Sequence, residues 1–178
     1  MNWMKKVAVA LVCLLPLGLQ AAKIDTLQVK SPSMNKSIEV VVVSPDVAAT
    51  KACPVIYLLH GYGGNACTWV GIKPDLPKIA DEKGIFFVCP DGKNTWYWDS
   101  PLNADVRYET FISNELVKYV DSHYKTVADR KGRAITGLSM GGHGAMWNGL
   151  RHSDVFSAAG STSGGVDIRP FPKNWEMS

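Results

Sequence analysis

From residue 24 onward, short apolar runs alternate with stretches of helical spacing. Ile24–Val29 and Ser37–Ser44 read as two strands, the second rich in Val and Ile at its centre. Pro54–His60 is a continuous apolar run that ends at Gly61, and Ile85–Cys89 is another, closed by Pro90-Asp91-Gly92. Unbroken runs of this length suit strands buried on both faces of a parallel sheet. Between them, Leu76–Lys83 has helical spacing and stops at Gly84. Val106–Tyr124 repeats apolar residues at Phe111, Ile112, Leu116, Tyr119 and Val120, which predicts a long helix. Arg133–Gly137 reads as a strand, Gly141–Arg151 as a helix and Phe156–Ser161 as a last short strand. Two opening strands followed by β-α-β-α alternation predict an α/β fold, a mostly parallel sheet flanked by helices.

The first 22 residues break this pattern. Lys5 and Lys6 precede an apolar run, Val7–Leu19, and Gln20-Ala21-Ala22 follows as a small-residue cleavage site. This is the order of a secretory signal peptide, so residues 1–22 are expected to leave and 23–178 to form one domain in the periplasm or outside the cell. The run is short for a membrane span and no second one follows, so no stable membrane anchor is expected. With 178 residues, 46% hydrophobic, 20% charged, there is room for one domain with a core. The net charge is +3, but Lys5 and Lys6 supply most of that surplus, and the remaining charges are scattered. A near-neutral body gives no electrostatic case for nucleic-acid binding, and no nucleic-acid partner is expected. Beyond Cys13 remain Cys53, Cys67 and Cys89, with no CxxC and no zinc spacing. Cys53 and Cys89 read as small apolar fillers near strand ends. No metal site or cofactor is expected.

The sharpest motif is Gly137-Leu138-Ser139-Met140-Gly141, a G-x-S-x-G where a strand must turn into a helix. A serine on so tight a turn has strained backbone angles, and small residues two before and two after it let the turn close. The helix that starts there points its N–H groups at developing negative charge. Leu58-Leu59-His60-Gly61-Tyr62-Gly63-Gly64 supplies the second half. An oxyanion hole of this kind takes one N–H from that loop and one from the residue after the nucleophile, here Tyr62 and Met140. His60, just before the loop, reads as a structural hydrogen-bonding group rather than a general base. Trp96, Tyr97 and Trp98 fit two readings, an acyl or sugar platform and a packed loop cluster. Glu109 and Glu115 read as helix-surface or supporting groups.

His60-Gly61-Tyr62-Gly63-Gly64, Pro90-Asp91-Gly92, Trp96-Tyr97-Trp98-Asp99-Ser100, Tyr108-Glu109-Thr110 and Gly137-Leu138-Ser139-Met140-Gly141-Gly142 follow one another in this order. In this the chain resembles the esterase family that groups esterase D, S-formylglutathione hydrolase, feruloyl and acetyl esterases and the antigen 85 mycolyltransferases. The resemblance implies an α/β-hydrolase fold and a secreted serine esterase working through an acyl-enzyme on Ser139. Tyr62 and Met140 would form the oxyanion hole, and the substrate would be a small ester or carbohydrate ester, such as acetyl or feruloyl groups on polysaccharides. An acyltransferase on the same scaffold and a non-catalytic carbohydrate binder are the alternatives.

Triad order in this fold is Ser, then Asp or Glu, then His. Only 39 residues follow Ser139, and they hold Asp154, Asp167, Glu176, His143 and His152. His143 falls one helical turn after Ser139 and His152 at the end of that helix, neither on a loop after a later strand. The triad acid and base are therefore expected beyond residue 178, in a chain truncated before its last two strands. Such a chain would expose the edge of its last strand and associate with itself there.

Overall fold

The computed structural model describes residues 22–167. The signal-peptide reading thus falls outside the described residues, except for Ala22. Six strands form one sheet: β1 (Lys23–Ser31), β2 (Lys36–Ser44), β3 (Val55–Leu59), β4 (Phe86–Pro90), β5 (Arg133–Gly137) and β6 (Ala158–Ala159). Their order is β1-β2-β4-β3-β5-β6. β1 and β2 form an antiparallel hairpin, β2 pairs antiparallel with β4, and β4, β3, β5 and β6 run parallel.

The unbroken apolar runs are explained by two core clusters. Successive residues along a strand point to opposite faces. Val40 and Val42, Phe86 and Val88, and Tyr57 and Leu59 lie in one cluster; Val41 and Val43, Phe87 and Cys89, and Leu58 lie in the other. Helix α2 (Leu76–Lys83) covers the second face through Leu76 and Ala80, preceded by the short α1 (Thr68–Ile72). Gly84 ends α2 in the left-handed conformation, φ 63°, as its position after the last apolar turn predicts. The first face is covered by α5 (Met140–Arg151) and by the segment running from α3 (Tyr108–Thr110) to α4 (Val117–His123). Between α3 and α4 the backbone widens into a π-helical turn, Phe111–Leu116.

Three expectations change. The long helix starts at Tyr108, not Val106, and is interrupted by that wider turn. The last strand shrinks from Phe156–Ser161 to Ala158–Ala159, because Phe156 turns into the core while Ser157 and Thr162 hydrogen bond to β5 outside regular pairing. The helix α1 has no signal in the pattern. Among the described residues β6 pairs with β5 alone, and both its alanines are exposed.

The order of strands fixes where a ligand can sit. From β3 the chain moves to β4 on one side, then crosses back to β5 on the other. Loops leaving the C-terminal ends of β3 and β5 therefore diverge and open a crevice between them. Leu59 pairs with Gly137, so His60-Gly61 and Leu138-Ser139 leave the sheet at the same level.

Candidate active site

Ser139 sits between the last residue pair of β5 and the first turn of α5, with φ 54° and ψ −115°. A side-chain-bearing residue there is strained by about 1–3 kcal/mol and persists only if its surroundings over-determine it. They do. Its N–H donates to the Thr162 carbonyl at 2.9 Å, and its own carbonyl accepts from the His143 N–H at 3.0 Å. A Cβ on Gly141 would lie 2.1 Å from the Leu59 carbonyl oxygen, and one on Gly137 would lie 2.4 Å from the Gly141 backbone. Both positions of the motif therefore exclude any side chain, and α5 lies directly on the end of β3. The turn leaves Ser139 exposed while Gly137, Met140 and Gly141 are buried. Met140 opens α5, so its N–H belongs to the first-turn donors that a helix leaves without an internal partner.

The β3 loop lies against this turn. A Cβ on Gly61 would lie 3.6 Å from Ser139 Cβ. Tyr62 follows in a turn closed by the Gly64 N–H on the Gly61 carbonyl at 3.0 Å, with Gly63 at φ 78°. That φ at the third position is what such a turn requires. The Gly63 N–H donates to Asn94 Oδ1 at 2.8 Å, which ties the turn to the loop after β4. The structure thus brings the three expected site residues, Ser139, Tyr62 and Met140, to the same end of the sheet.

His60 is buried beneath the loop. Its Nε2 accepts from the Gly92 N–H at 2.9 Å, so the ring proton is on Nδ1, which lies 2.7 Å from the Gly61 carbonyl. Both ring nitrogens are committed to holding the β3 and β4 loops together, the structural role its position suggests. The other histidines are committed elsewhere. His143 Nδ1 donates to the Gly165 carbonyl at 2.8 Å, and its ring lies among Trp96, Trp98 and Trp147. Burial lowers the His143 pKa, and the Gly165 bond only partly opposes this, so the ring is held neutral. His152 Nε2 meets Glu109 at 2.9 Å, and His123 meets the Tyr119 carbonyl at 2.8 Å. All four histidines of the sequence are thus placed, and no imidazole nitrogen hydrogen bonds to the Ser139 hydroxyl. Asp154 and Asp167 are exposed.

The aromatic loop divides between its two readings. Trp96 and Tyr97 have positive φ, 57° and 61°, and are buried. Tyr97 fills the space between Gly92 and Gly144 and donates its hydroxyl proton to the His60 carbonyl at 3.1 Å. These two are packing. Trp98 is half-buried, meets Trp147 edge to face, and lines a cleft of about 520 Å³ with Asn94, Thr95 and Asn103.

Sequence reasoning missed the hub at Glu109. Its buried carboxylate accepts from Trp147 Nε1 at 2.7 Å and Arg151 Nε at 2.7 Å, beside His152. Burial alone would raise its pKa; these donors more than offset that and lower it. Glu115 takes the Ser31 hydroxyl and the Ser33 N–H, tying down the β1–β2 turn. Asn94 and Thr162 were also missed, since no local pattern marks a loop residue whose partner lies far along the chain. Among the described residues no group of His, Cys, Asp and Glu could hold a metal ion. No described helix is long and apolar enough to cross a membrane.

The comparisons with known proteins agree with this geometry. An esterase of Mycobacterium tuberculosis is 28% identical over 149 residues, covering 80% of this chain and 32% of its own. An acetyl esterase of Caldicellulosiruptor saccharolyticus is 32% identical over 102 residues, 57% of this chain and 37% of its own. The chain spans about a third of the length of these two curated relatives. A solved ferulic acid esterase superposes with a TM-score of 0.73 at 31% identity, over 87% of this chain and 64% of that one. The family described as "Putative esterase" matches residues 31–176, which hold strands β2 to β6 and the whole elbow. On that match the chain belongs to this esterase family, and its sheet and helices are those of the α/β-hydrolase fold.

Proposed function

We propose that the protein is an exported serine carboxylic-ester hydrolase with Ser139 as nucleophile. The observation that carries this is the exposed, strained Ser139 on its elbow, with the Gly61-Tyr62 loop against it. Ser139 Oγ attacks the ester carbonyl carbon, and the carbonyl oxygen becomes an oxyanion. The N–H groups of Tyr62 and Met140 receive that charge; one such donor is worth about 2.7–4 kcal/mol of barrier. The tetrahedral adduct collapses, expels the alcohol and leaves an acyl-Ser139, which water then hydrolyses. A histidine must take the Ser139 proton and return it to the leaving alcohol, oriented by an acid. None of the four imidazoles here is hydrogen-bonded to the Ser139 hydroxyl to do so.

The cleft beside Trp98 supports a substrate class. Trp98 offers apolar surface of the kind that meets a sugar ring or an aromatic acyl group, with Asn94 and Asn103 as polar neighbours. Two of the similar proteins act, by name, as an acetyl esterase and a ferulic acid esterase. Acetyl or feruloyl esters of polysaccharides fit both. Export is supported by Lys5, Lys6 and the Val7–Leu19 run. The test is release of acetate and ferulate from acetylated and feruloylated xylan by the exported protein. Release that is lost in Ser139→Ala supports the reading; release that persists contradicts it.

A further inference from the structure

Ala22 is already part of the fold. Its N–H donates to Asp81 Oδ2 at 2.8 Å, and its methyl packs against the cluster of Val41, Val43 and Leu76. The other oxygen of Asp81 accepts the Asp46 N–H at 2.8 Å. One half-buried carboxylate on α2 thus ties the start of β1 to the turn after β2. Among the described residues neither Asp81 nor Asp46 has a cationic partner within ion-pair distance, and the neighbouring Lys23 pairs instead with Asp25 at 2.8 Å. Desolvation and the adjoining Asp81 charge raise the Asp46 carboxyl. The corner holds two acids that no described cation pairs with.

We propose that export cleaves the chain between Ala21 and Ala22, and that the new α-ammonium of Ala22 is the ion-pair partner of Asp81. This moves the boundary one residue from the Ala22–Lys23 bond expected from sequence, and it rests on the export reading above. In the step, a water oxygen bonds to the Ala21 carbonyl carbon, the C–N bond breaks, and both water protons end on the Ala22 nitrogen, leaving an Ala21 carboxylate and an Ala22 ammonium. The hydrolysis belongs to an export-linked membrane peptidase. The nitrogen 2.8 Å from Asp81 stays where it is and changes from a neutral donor to a charged one. Charge-assisted bonds of this kind are roughly twice as strong as neutral ones. A cut after Ala22 would remove both the nitrogen and the methyl and leave Asp81 Oδ2 without its donor. The flanking sequence agrees. Cleavage after Ala21 places Ala21 and Leu19 in the two positions that want small or aliphatic side chains; cleavage after Ala22 places Gln20 in one of them.

The test is to express the whole gene in a secreting bacterium and determine the N-terminus of the exported protein by sequencing and intact mass. A chain that starts Ala22-Lys23-Ile24 supports the proposal. An exported chain that starts at Lys23, or at any other residue, overturns it and leaves the export reading standing. An uncleaved chain retained in the cytoplasm overturns the export reading itself. A second readout follows the amine. The Ala22 amine should titrate above the ordinary range of about 7.7–8.0. It should react with an amine-selective acylating reagent at pH 7 several-fold more slowly than in Asp81→Asn. Equal rates in the two proteins would overturn the ion pair.

Discussion

Gly141 presses its α-carbon against Leu59 so closely that a methyl group there would sit 2.1 Å from the Leu59 carbonyl oxygen. This contact joins the first turn of α5 to the end of β3. It makes the serine turn sharp, and it sets the loop after β3 beside Ser139. Fold and site are therefore one packing problem, and a single methyl group tests both.

Gly141→Ala should destabilise the protein by about 1–3 kcal/mol, the range for overpacking a rigid backbone contact. The clash is with backbone and cannot be relieved by a rotamer change. Urea unfolding of the two proteins measures it. An unchanged midpoint would mean that α5 stands off the sheet.

Ser139→Gly should move stability the other way. Its φ of 54° and ψ of −115° are open to glycine without strain, so about 1 kcal/mol or more should return as stability while ester chemistry disappears. Ser139→Ala keeps the strain and should melt close to the wild type. A Ser139→Gly protein that melts below Ser139→Ala would contradict this.

Acid should destabilise the fold in two windows. The His143 pKa is lowered by burial, so the unfolded chain binds that proton more tightly. Its contribution is present above the unfolded value near 6.5 and is lost as pH falls through the lower folded value. The lowered Glu109 carboxyl works in the same direction further down: its contribution is full above about 4.3 and lost as pH falls through its folded value. Denaturant unfolding from pH 8 to pH 3 should show both losses. His143→Asn should flatten the upper one and Glu109→Gln the lower one; slopes that survive these changes would refute the assignment.

The 178-residue chain should turn over p-nitrophenyl acetate slowly. No imidazole is hydrogen-bonded to the Ser139 hydroxyl, and a hydroxyl without a base is a weak nucleophile. An oxyanion hole and binding alone leave about 10³–10⁴-fold over water. Fast hydrolysis abolished by Ser139→Ala would mean that a histidine rearranges or is lent by a second copy of the chain.

What the sequence made legible follows from how far apart the interacting residues lie. β3, β4 and β5 are plain because burial on both faces writes itself as unbroken runs, such as Val55–Leu59. Ser139 is plain because the close approaches at Gly137 and Gly141 demand glycine at fixed offsets. The role of His60 could be inferred from its place before the loop, though its partner Gly92 could not. The π-helical turn at Phe111–Leu116 shifts the helical spacing by too little for a periodicity to register. The Glu109–Trp147–Arg151 hub and the Asn94–Gly63 link join residues tens of positions apart, and each looks like an ordinary polar side chain alone. Trp96 and Tyr97 were ambiguous for the same reason: only the space between Gly92 and Gly144 decides that Tyr97 is packing.

Prolonged exposure of the protein to a fluorophosphonate, followed by tryptic digestion and mass spectrometry, tests Ser139 as the nucleophile most directly. The predicted result is one adduct, at Ser139 in the peptide 134–151, and none in Ser139→Ala. An adduct on a different serine, or ester hydrolysis undiminished in Ser139→Ala, would contradict it.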